Sequence, residues 1–313
     1  MSLTPHLALS RAKLDRDAAS RSIPGFVERL WADTGTRVVS SWRGEVLVER
    51  GQSLRLDYRS PESLPAPEIV IYLGKSVDGD EELPVGTAVL AALYGDDQAS
   101  QLEPDTSLWV SGRTSGHALG DRDAGVLVEA LALANWHTAH RFSPATGQPL
   151  LADSSGWVLV DQDSGKTVFP RTDAAIIVLI TDEDDRIVLG SNALWESQRY
   201  SLLAGFVEPG ESLEAAVARE VWEESGLSVK NPQYVGSQPW PFPASLMVGF
   251  TAELDHDATG PLRPDGTEII DLRWFSRQEL FDSLDQVVLP GPTSIARAMI
   301  EQWYGGSLPE SHW

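Results

Sequence analysis

The sequence predicts an α/β (α+β) protein, with an N-terminal α+β domain over residues 1–140, a linker over 141–170 and an α/β domain over 171–313. Three observations carry that expectation. A chain of 313 residues exceeds one ordinary domain of about 100–150 residues. Its early part mixes short apolar runs with turn clusters, whereas its later part sets several strand-like runs around one sharply bounded helix. Apolar residues at 42% against 22% charged residues supply enough hydrophobic surface for two cores and argue against disorder.

In chain order, runs at Arg37–Val39, Glu45–Val48 and Glu68–Leu73, separated by clusters such as DGDEELPVG, predict an antiparallel sheet. Leu127, Ala130, Leu131 and Ala134 then line one face of a helix from about Asp123 to His140. Ser, Gly, Pro and Asp dominate residues 143–170, with a hairpin strand expected near Trp157–Val160. Within that stretch SGKT at Ser164–Thr167 matches the end of a phosphate-binding P-loop, but the motif needs glycine where Val160 stands, so the segment reads as a hairpin turn. From Ala174, AAIIVLIT is a buried strand, DEDD a charged turn and RIVLGSN the second strand of a hairpin. A helix over Ser212–Ser225, strands at Met247–Glu253 and Ile270–Phe275, and a last helix over Ser294–Tyr304 complete the C-terminal part.

The absence of cysteine excludes disulfides, thiolate zinc sites and thiol nucleophiles, so a metal must be held by oxygen or imidazole. No window approaches the roughly 20 apolar residues of a membrane helix, and no apolar stretch of signal-peptide length opens the chain. A cytoplasmic protein without membrane contact is therefore expected. A net charge of −22 disfavours a general grip on nucleic-acid backbones.

The chemistry concentrates in Gly205–Leu227, GFVEPGESLEAAVAREVWEESGL. Pro209-Gly210 makes a turn, Ser212 is a good N-cap, Glu214 suits the first turn and Gly226 the C-terminal cap. Glu220, Glu223 and Glu224 share one helical face beside the apolar row Leu213, Val217 and Val221. Like charges so spaced destabilise a helix by roughly a few tenths of a kcal/mol per pair unless a cation lies between them. Mg²⁺ and Mn²⁺, which prefer oxygen ligands, meet that need and bring phosphate chemistry with them. An acidic cluster alone is most often a solvated face. The surrounding spacing decides otherwise: Gly205, Glu211, Arg219-Glu220, Val221, Glu223-Glu224, Gly226 and Leu227 resemble the Nudix hydrolase box at every defined position. The resemblance implies a mixed-sheet α/β/α sandwich in which Glu220, Glu223 and Glu224, with the backbone carbonyl of Ala204, ligate two or three divalent ions. It also implies that Arg219 orients rather than reacts, whereas the plain alternative is a surface pair with Glu223. Glu211 is expected to support the loop.

Past the box, SQPWPFPAS at Ser237–Ser245 carries three prolines that predict a stiff, extended path presenting Trp240 and Phe242 for stacking on a base. Read alone, it fits a structural loop equally well. It resembles the signature of NAD(H) pyrophosphatases of the NudC type, with Ala244 at the open position. That resemblance implies substrate contacts by Gln238, Pro239, Trp240, Pro241, Phe242, Pro243, Ala244 and Ser245. It extends to TEIIDLRWF at Thr267–Phe275, where Glu268 matches a late catalytic acid and metal ligand, and to LPGPTSIARAMIEQW, where Ala296 takes a substrate-contacting position. Phe169 and Phe206 match aromatic residues beside the dinucleotide. Glu220, Glu223, Glu224 and Glu268 would thus serve metal-assisted hydrolysis of NAD(H) to AMP and nicotinamide mononucleotide, with Glu223 or Glu268 taking the proton of the attacking water.

The same resemblance implies a homodimer. The family often carries a four-cysteine zinc ribbon before its catalytic domain; here Ser143, Thr146, Asp161 and Ser164 stand at or near those positions, so structural zinc is not expected and packing around Trp157 must hold the segment. His137 and His140 read as helix-end residues. Two other readings stay open: removal of NAD caps from RNA by the same cleavage, and a non-catalytic nucleotide-binding module of this fold.

Overall fold

The computed structural model describes residues 2–49, 51–81 and 83–309. The chain forms two compact units, one comprising Arg11–Thr172 with Trp240–Ala244, the other comprising the residues through Ser10, Asp173–Pro239 and the residues from Ser245 on. Among the described residues no helix is long and apolar enough to cross a membrane.

In the first unit six strands, β1 (Leu14–Asp15), β2 (Arg37–Trp42), β3 (Glu45–Leu47), β4 (Ile69–Ser76), β5 (Ala88–Leu93) and β6 (Trp109–Val110), form a sheet of order β1-β4-β5-β2-β3-β6. The expected sheet is present but not wholly antiparallel, because β2 and β5 run parallel from Arg37↔Val89 to Ser41↔Leu93. A parallel neighbour needs a long crossover, and the stretch between β3 and β4 supplies part of it. Short helices α1 (Phe26–Trp31), α2 (Asp96–Leu102) and α3 (Gly112–Ser115) accompany the sheet. The long helix α4 spans Asp121–Ala139 and buries Val126, Leu127, Ala130, Leu131 and Ala134. At its start buried Asp123 accepts hydrogen bonds from Leu56 N–H and the Tyr58 hydroxyl, both at 3.0 Å, which ties the helix to the chain before β4. At its end His137 bonds the Gly156 carbonyl at 2.8 Å and His140 the Trp136 carbonyl at 2.9 Å, so both rings serve the helix end.

Residues 141–170, expected as a linker, lie within the first unit and hold a three-stranded antiparallel ribbon, β7 (Leu150–Asp153), β8 (Val158–Asp161) and β9 (Thr167–Val168), with SGKT in the β8–β9 turn. Three of the would-be cysteine positions, Ser143, Thr146 and Ser164, converge on the anion at the fourth, Asp161. Asp161 is fully buried; its carboxylate accepts from Thr146 Oγ1 at 2.5 Å and from the N–H groups of Asp163 and Ser164 at 3.1 Å each. These bonds, with one from the Ser143 hydroxyl, hold its carboxyl well below the usual carboxylate range. A thiolate ribbon surrounds a cation with acceptors, whereas this one surrounds a carboxylate with donors. Trp157 contributes as expected, donating to the Tyr72 carbonyl at 2.7 Å under the Arg21 guanidinium, 3.5 Å from its ring centroid. Because the Asp161 pKa is depressed on folding, its contribution is present above the ordinary carboxylate range and fades as pH falls through its folded value. Asp161→Ala therefore lowers the melting temperature by several degrees at pH 7, and the gap from wild type narrows in strong acid; calorimetry at both pH values checks it.

In the second unit β10 (Asp173–Thr181), β11 (Ile187–Asn192), β12 (Leu203–Phe206), β13 (Val229–Trp240), β14 (Ser245–Leu254) and β15 (Ile269–Phe275) form a mixed sheet of order β13-β14-β10-β11-β15, with β12 also on β10. Strand β10 alternates: Ile176, Val178 and Ile180 pack with Ala216, Val217 and Val221 of α5 (Leu213–Ser225), while Ile177 and Leu179 pack with Ile295, Ala296, Met299 and Ile300 of α7 (Ile295–Tyr304). One helix on each sheet face gives the α/β/α sandwich. A further helix, α6 (Arg277–Asp282), follows β15 and starts with a capping box of Ser276 and Glu279. The predicted caps of α5 hold: Ser212 accepts from Ala215 N–H, and Gly226 closes the helix at φ +69; at the start of α7 Ser294 accepts from Ala296 N–H.

Candidate active site

Helix α5 and strand β12 build the site. The register pairs β12 with β10 so that Val207 N–H bonds the Ala174 carbonyl; two-residue alternation then puts Ala204, opposite Ile177, in a non-hydrogen-bonded pair. Both polar groups of the Ala204 backbone consequently point away from β10, and its N–H donates to the Glu224 carboxylate. Gly205 follows because α5 presses close there: a Cβ at that position would fall on the carboxylate of Glu220. Gly205→Ala must swing the Glu220 carboxylate aside, and is expected to lower kcat roughly 10–100-fold with little change in melting temperature, as steady-state kinetics and circular dichroism will show.

Glu224 is buried at 5% exposure, and its Oε2 has no hydrogen-bond partner among the described residues. Burial, then the charges of Glu220 and Glu268, push its carboxyl up to about 8. Burial likewise raises Glu220, against Arg219, with the charges of Glu223 and Glu268 adding to the rise. Glu268, in the turn before β15, therefore stands within the electrostatic field of Glu220 and Glu224. Glu223 is half exposed.

Arg219 binds both loop and helix. Its Nε and Nη2 grip the two oxygens of Glu211 at 2.8 and 2.9 Å, Nη2 also donates to the Phe206 carbonyl at 2.9 Å, and Nη1 donates to Glu220 at 2.8 Å and Glu223 at 3.0 Å. The pair with Glu223 exists, yet it is one contact among five. Glu211 also accepts from Glu208 N–H at 3.1 Å, and its carboxyl is lowered to about 2, mainly by Arg219. It braces the loop.

Among the described residues no three His, Asp or Glu side chains already close around a metal position. The donor set nevertheless fits a hard divalent cation: an unpartnered, buried carboxylate oxygen on Glu224 and acids that raise one another's pKa both favour a positive charge.

Residues 170–296 match the family model described as the NUDIX domain. Over 303 residues the chain is 39% identical to the NAD-capped RNA hydrolase NudC of Mycobacterium bovis, covering 94% of this chain and 90% of that protein. This chain belongs to the NudC family of Nudix hydrolases. The NudC proteins of Mycobacterium tuberculosis, 38% identical over 303 residues, and of Klebsiella pneumoniae, 37% identical over 230 residues covering 70% of this chain and 86% of that one, agree. It is an enzyme of nucleotide diphosphate hydrolysis, in a family that uses divalent metal ions.

In this NudC-family chain the Ser237–Ser245 segment is divided between the two units. Gln238 is fully buried in the second, accepting from Leu9 N–H at 3.3 Å and donating to the Thr293 carbonyl at 3.0 Å, so its side chain is engaged internally. Pro239 and Ser245, at the two ends of the turn that follows, are half-buried. From Trp240 to Ala244 the path is a compact turn and not the extended one expected. Phe242 N–H bonds the Trp240 carbonyl at 2.7 Å, the two rings meet edge to face at 5.1 Å, and Asn135 of α4 donates to the Pro241 carbonyl at 2.7 Å. The short bond closes a turn that alternating prolines alone do not require. Pro241 is buried, Pro243 exposed and Ala244 half-buried, while Arg113 lies over the Trp240 ring at 5.8 Å. Phe206 is 58% exposed in the catalytic unit and Phe169 63% exposed in the other. Ala296 is buried, its methyl group in the core against the sheet.

Sequence reasoning missed Asp265 and Ala193, which bind the backbone of Glu268. The one available signal was the aspartate three residues before Glu268 in a turn-rich stretch.

Proposed function

We propose that the enzyme hydrolyses the diphosphate bond of an NAD moiety carried as the 5′ cap of RNA, releasing nicotinamide mononucleotide and leaving a 5′-monophosphate end. The reading is supported by the unpartnered oxygen of buried Glu224, whose carboxyl is raised by burial and by the charges of Glu220 and Glu268, in a family whose similar members are named for NAD-cap hydrolysis. Free NAD(H), the first expectation from sequence, is the second reading. The net charge of −22 favours it, since a polyanion is repelled from most of such a surface while a dinucleotide is a small load.

Glu220, Glu223, Glu224 and Glu268, with the Ala204 carbonyl, would hold two or three Mg²⁺ or Mn²⁺ ions. When bound, such ions neutralise charge on the diphosphate and make water more acidic. Arg219 fixes Glu220 and Glu223 in direction, and the burial of Glu224 keeps competing water away. Glu268 is the favoured acceptor for the proton of the attacking water, because Arg219 already donates to Glu223. Trp240 and Phe242, edge to face, would present a ring to a base, and a homodimer is part of the same reading.

The test is product analysis by mass with NAD-capped RNA, NADH and NAD⁺ in turn, each with Mg²⁺ or Mn²⁺. Nicotinamide mononucleotide from capped RNA, at a kcat/KM above that for NADH, supports the first reading; the reverse order supports the second. Release of intact NAD from the RNA would refute the first reading, and no cleavage of NADH or NAD⁺ would refute the second.

A further inference from the structure

We infer that Asp265 is a positioning residue for the fourth acid: its carboxylate clamps the backbone at Glu268 and so fixes that side chain toward Glu220 and Glu224. The inference rests on the proposed role of Glu268 and adds how the fold delivers it.

Glu268 is far in sequence from α5 and sits at the end of an irregular stretch after β14, where a chain would ordinarily be free to wander. Here it is clipped at successive points. Arg263 N–H bonds the Ser225 carbonyl in the last turn of α5 at 2.8 Å, which fastens the stretch to the helix that bears the other three acids. Two residues later Asp265 turns its carboxylate back on the chain: Oδ1 accepts from Ile269 N–H at 2.7 Å and from Glu268 N–H at 3.2 Å, and Oδ2 from Glu268 N–H at 3.0 Å. Gly266 N–H closes the turn on the Ile269 carbonyl at 3.0 Å. From the opposite side Ala193 N–H, just past β11, donates to the Glu268 carbonyl at 2.8 Å. Both backbone polar groups of Glu268 are thus engaged, and the direction of its Cα–Cβ bond is set before any ligand arrives.

Asp265 does this through its oxygens as acceptors and not through its charge. Both oxygens are committed to backbone N–H groups, and another negative charge beside Glu224 only adds to the repulsion there. Asparagine keeps the Oδ1 acceptor for both N–H groups but sets its NH2 where Oδ2 accepts from Glu268 N–H, so it should replace aspartate in part, whereas alanine should not.

The test uses the full chain carrying Asp265→Ala, Asp265→Asn, Glu268→Gln and the Asp265→Ala/Glu268→Gln pair. Without metal, Asp265→Ala should speed amide exchange in peptides covering residues 266–270 while leaving α5 protected. It should weaken Mn²⁺ binding by titration calorimetry and lower kcat by roughly 10–100-fold, with KM changed much less. Asp265→Asn should recover part of each loss. In the Glu268→Gln background Asp265→Ala should add nothing further, since it acts through that side chain. Equal losses for Asn and Ala, additive losses in the double variant, or unchanged exchange over 266–270 would each overturn the inference. Should the wild type cleave no NAD substrate, the proposed function fails, while the exchange and Mn²⁺ measurements still judge Asp265.

Discussion

Glu224→Gln is expected to lower kcat by on the order of 10³-fold, more than the 10–100-fold typical of groups that only support a metal ligand, while leaving the protein folded. Its burial and unpartnered oxygen make Glu224 the acid with the most to gain from a cation, and an amide cannot supply the negative charge. The same substitution changes stability in the opposite sense. Glu224 titrates near 8 when folded against an ordinary value of 4.5, so between those values the metal-free native state holds a proton that the unfolded chain has released. The contribution of Glu224 to the stability of the metal-free protein therefore falls as pH rises from about 4.5 to 8, and Glu224→Gln removes that contribution. Melting curves at pH 5, 7 and 9, with chelator and with saturating Mg²⁺, check both halves. The wild-type slope should flatten once metal is present, and the variant should match or exceed wild type at pH 9 without it. A variant that turned over within a few-fold of wild type at saturating Mg²⁺ would remove Glu224 from the site.

The contrast between rate and stability explains which parts of the molecule were legible in the sequence. Helix α5 was, because its determinants are local: the Ser212 cap, the Gly226 stop and the placing of three acids on one face are all settled within two turns of chain. The strands of the catalytic unit were legible as runs, and their pairing was not. Strand β10 meets β11 in the expected hairpin, yet its long partner is the parallel β14, and nothing local to either strand specifies a parallel neighbour. The first sheet shows the same limit where β2 and β5 run parallel. Box spacing and family resemblance pointed to the four acids, whereas the reason for Gly205 and the clamp on Glu268 appear only when distant segments meet. Gln238 illustrates the opposite case: the family resemblance implies a ligand contact, and tertiary structure buries its side chain between Leu9 and Thr293. The ribbon falls between these cases, since its four positions were legible and the reversal of charge at its centre was not, because a buried aspartate can be read only from the donors around it.

Arg219→Lys is expected to cost nearly as much activity as Arg219→Ala, on the order of 10²-fold in kcat, although it keeps the charge. The guanidinium meets five acceptors on three sides: both oxygens of Glu211, the Phe206 carbonyl, Glu220 and Glu223. Only a planar fork can bridge the loop before α5 and two acids on it at once; an ammonium group has three donors and no fixed directions among them. With lysine, Glu211 loses its paired contact, and Glu220 and Glu223 regain rotamer freedom and mutual repulsion. If Arg219 held only the surface pair with Glu223, lysine would substitute well, because an i,i+4 ion pair is worth about 0.3–0.5 kcal/mol whichever cation forms it. Kinetics of the two variants and of Glu223→Gln separate the cases. The bridging role predicts that Lys and Ala both raise the Mg²⁺ concentration needed for half-maximal rate and lower the melting temperature, with Glu211→Gln reproducing the thermal effect. Activity of Arg219→Lys within a few-fold of wild type would reduce Arg219 to that single pair and leave the direction of Glu220 to be set by Gly205 and burial alone.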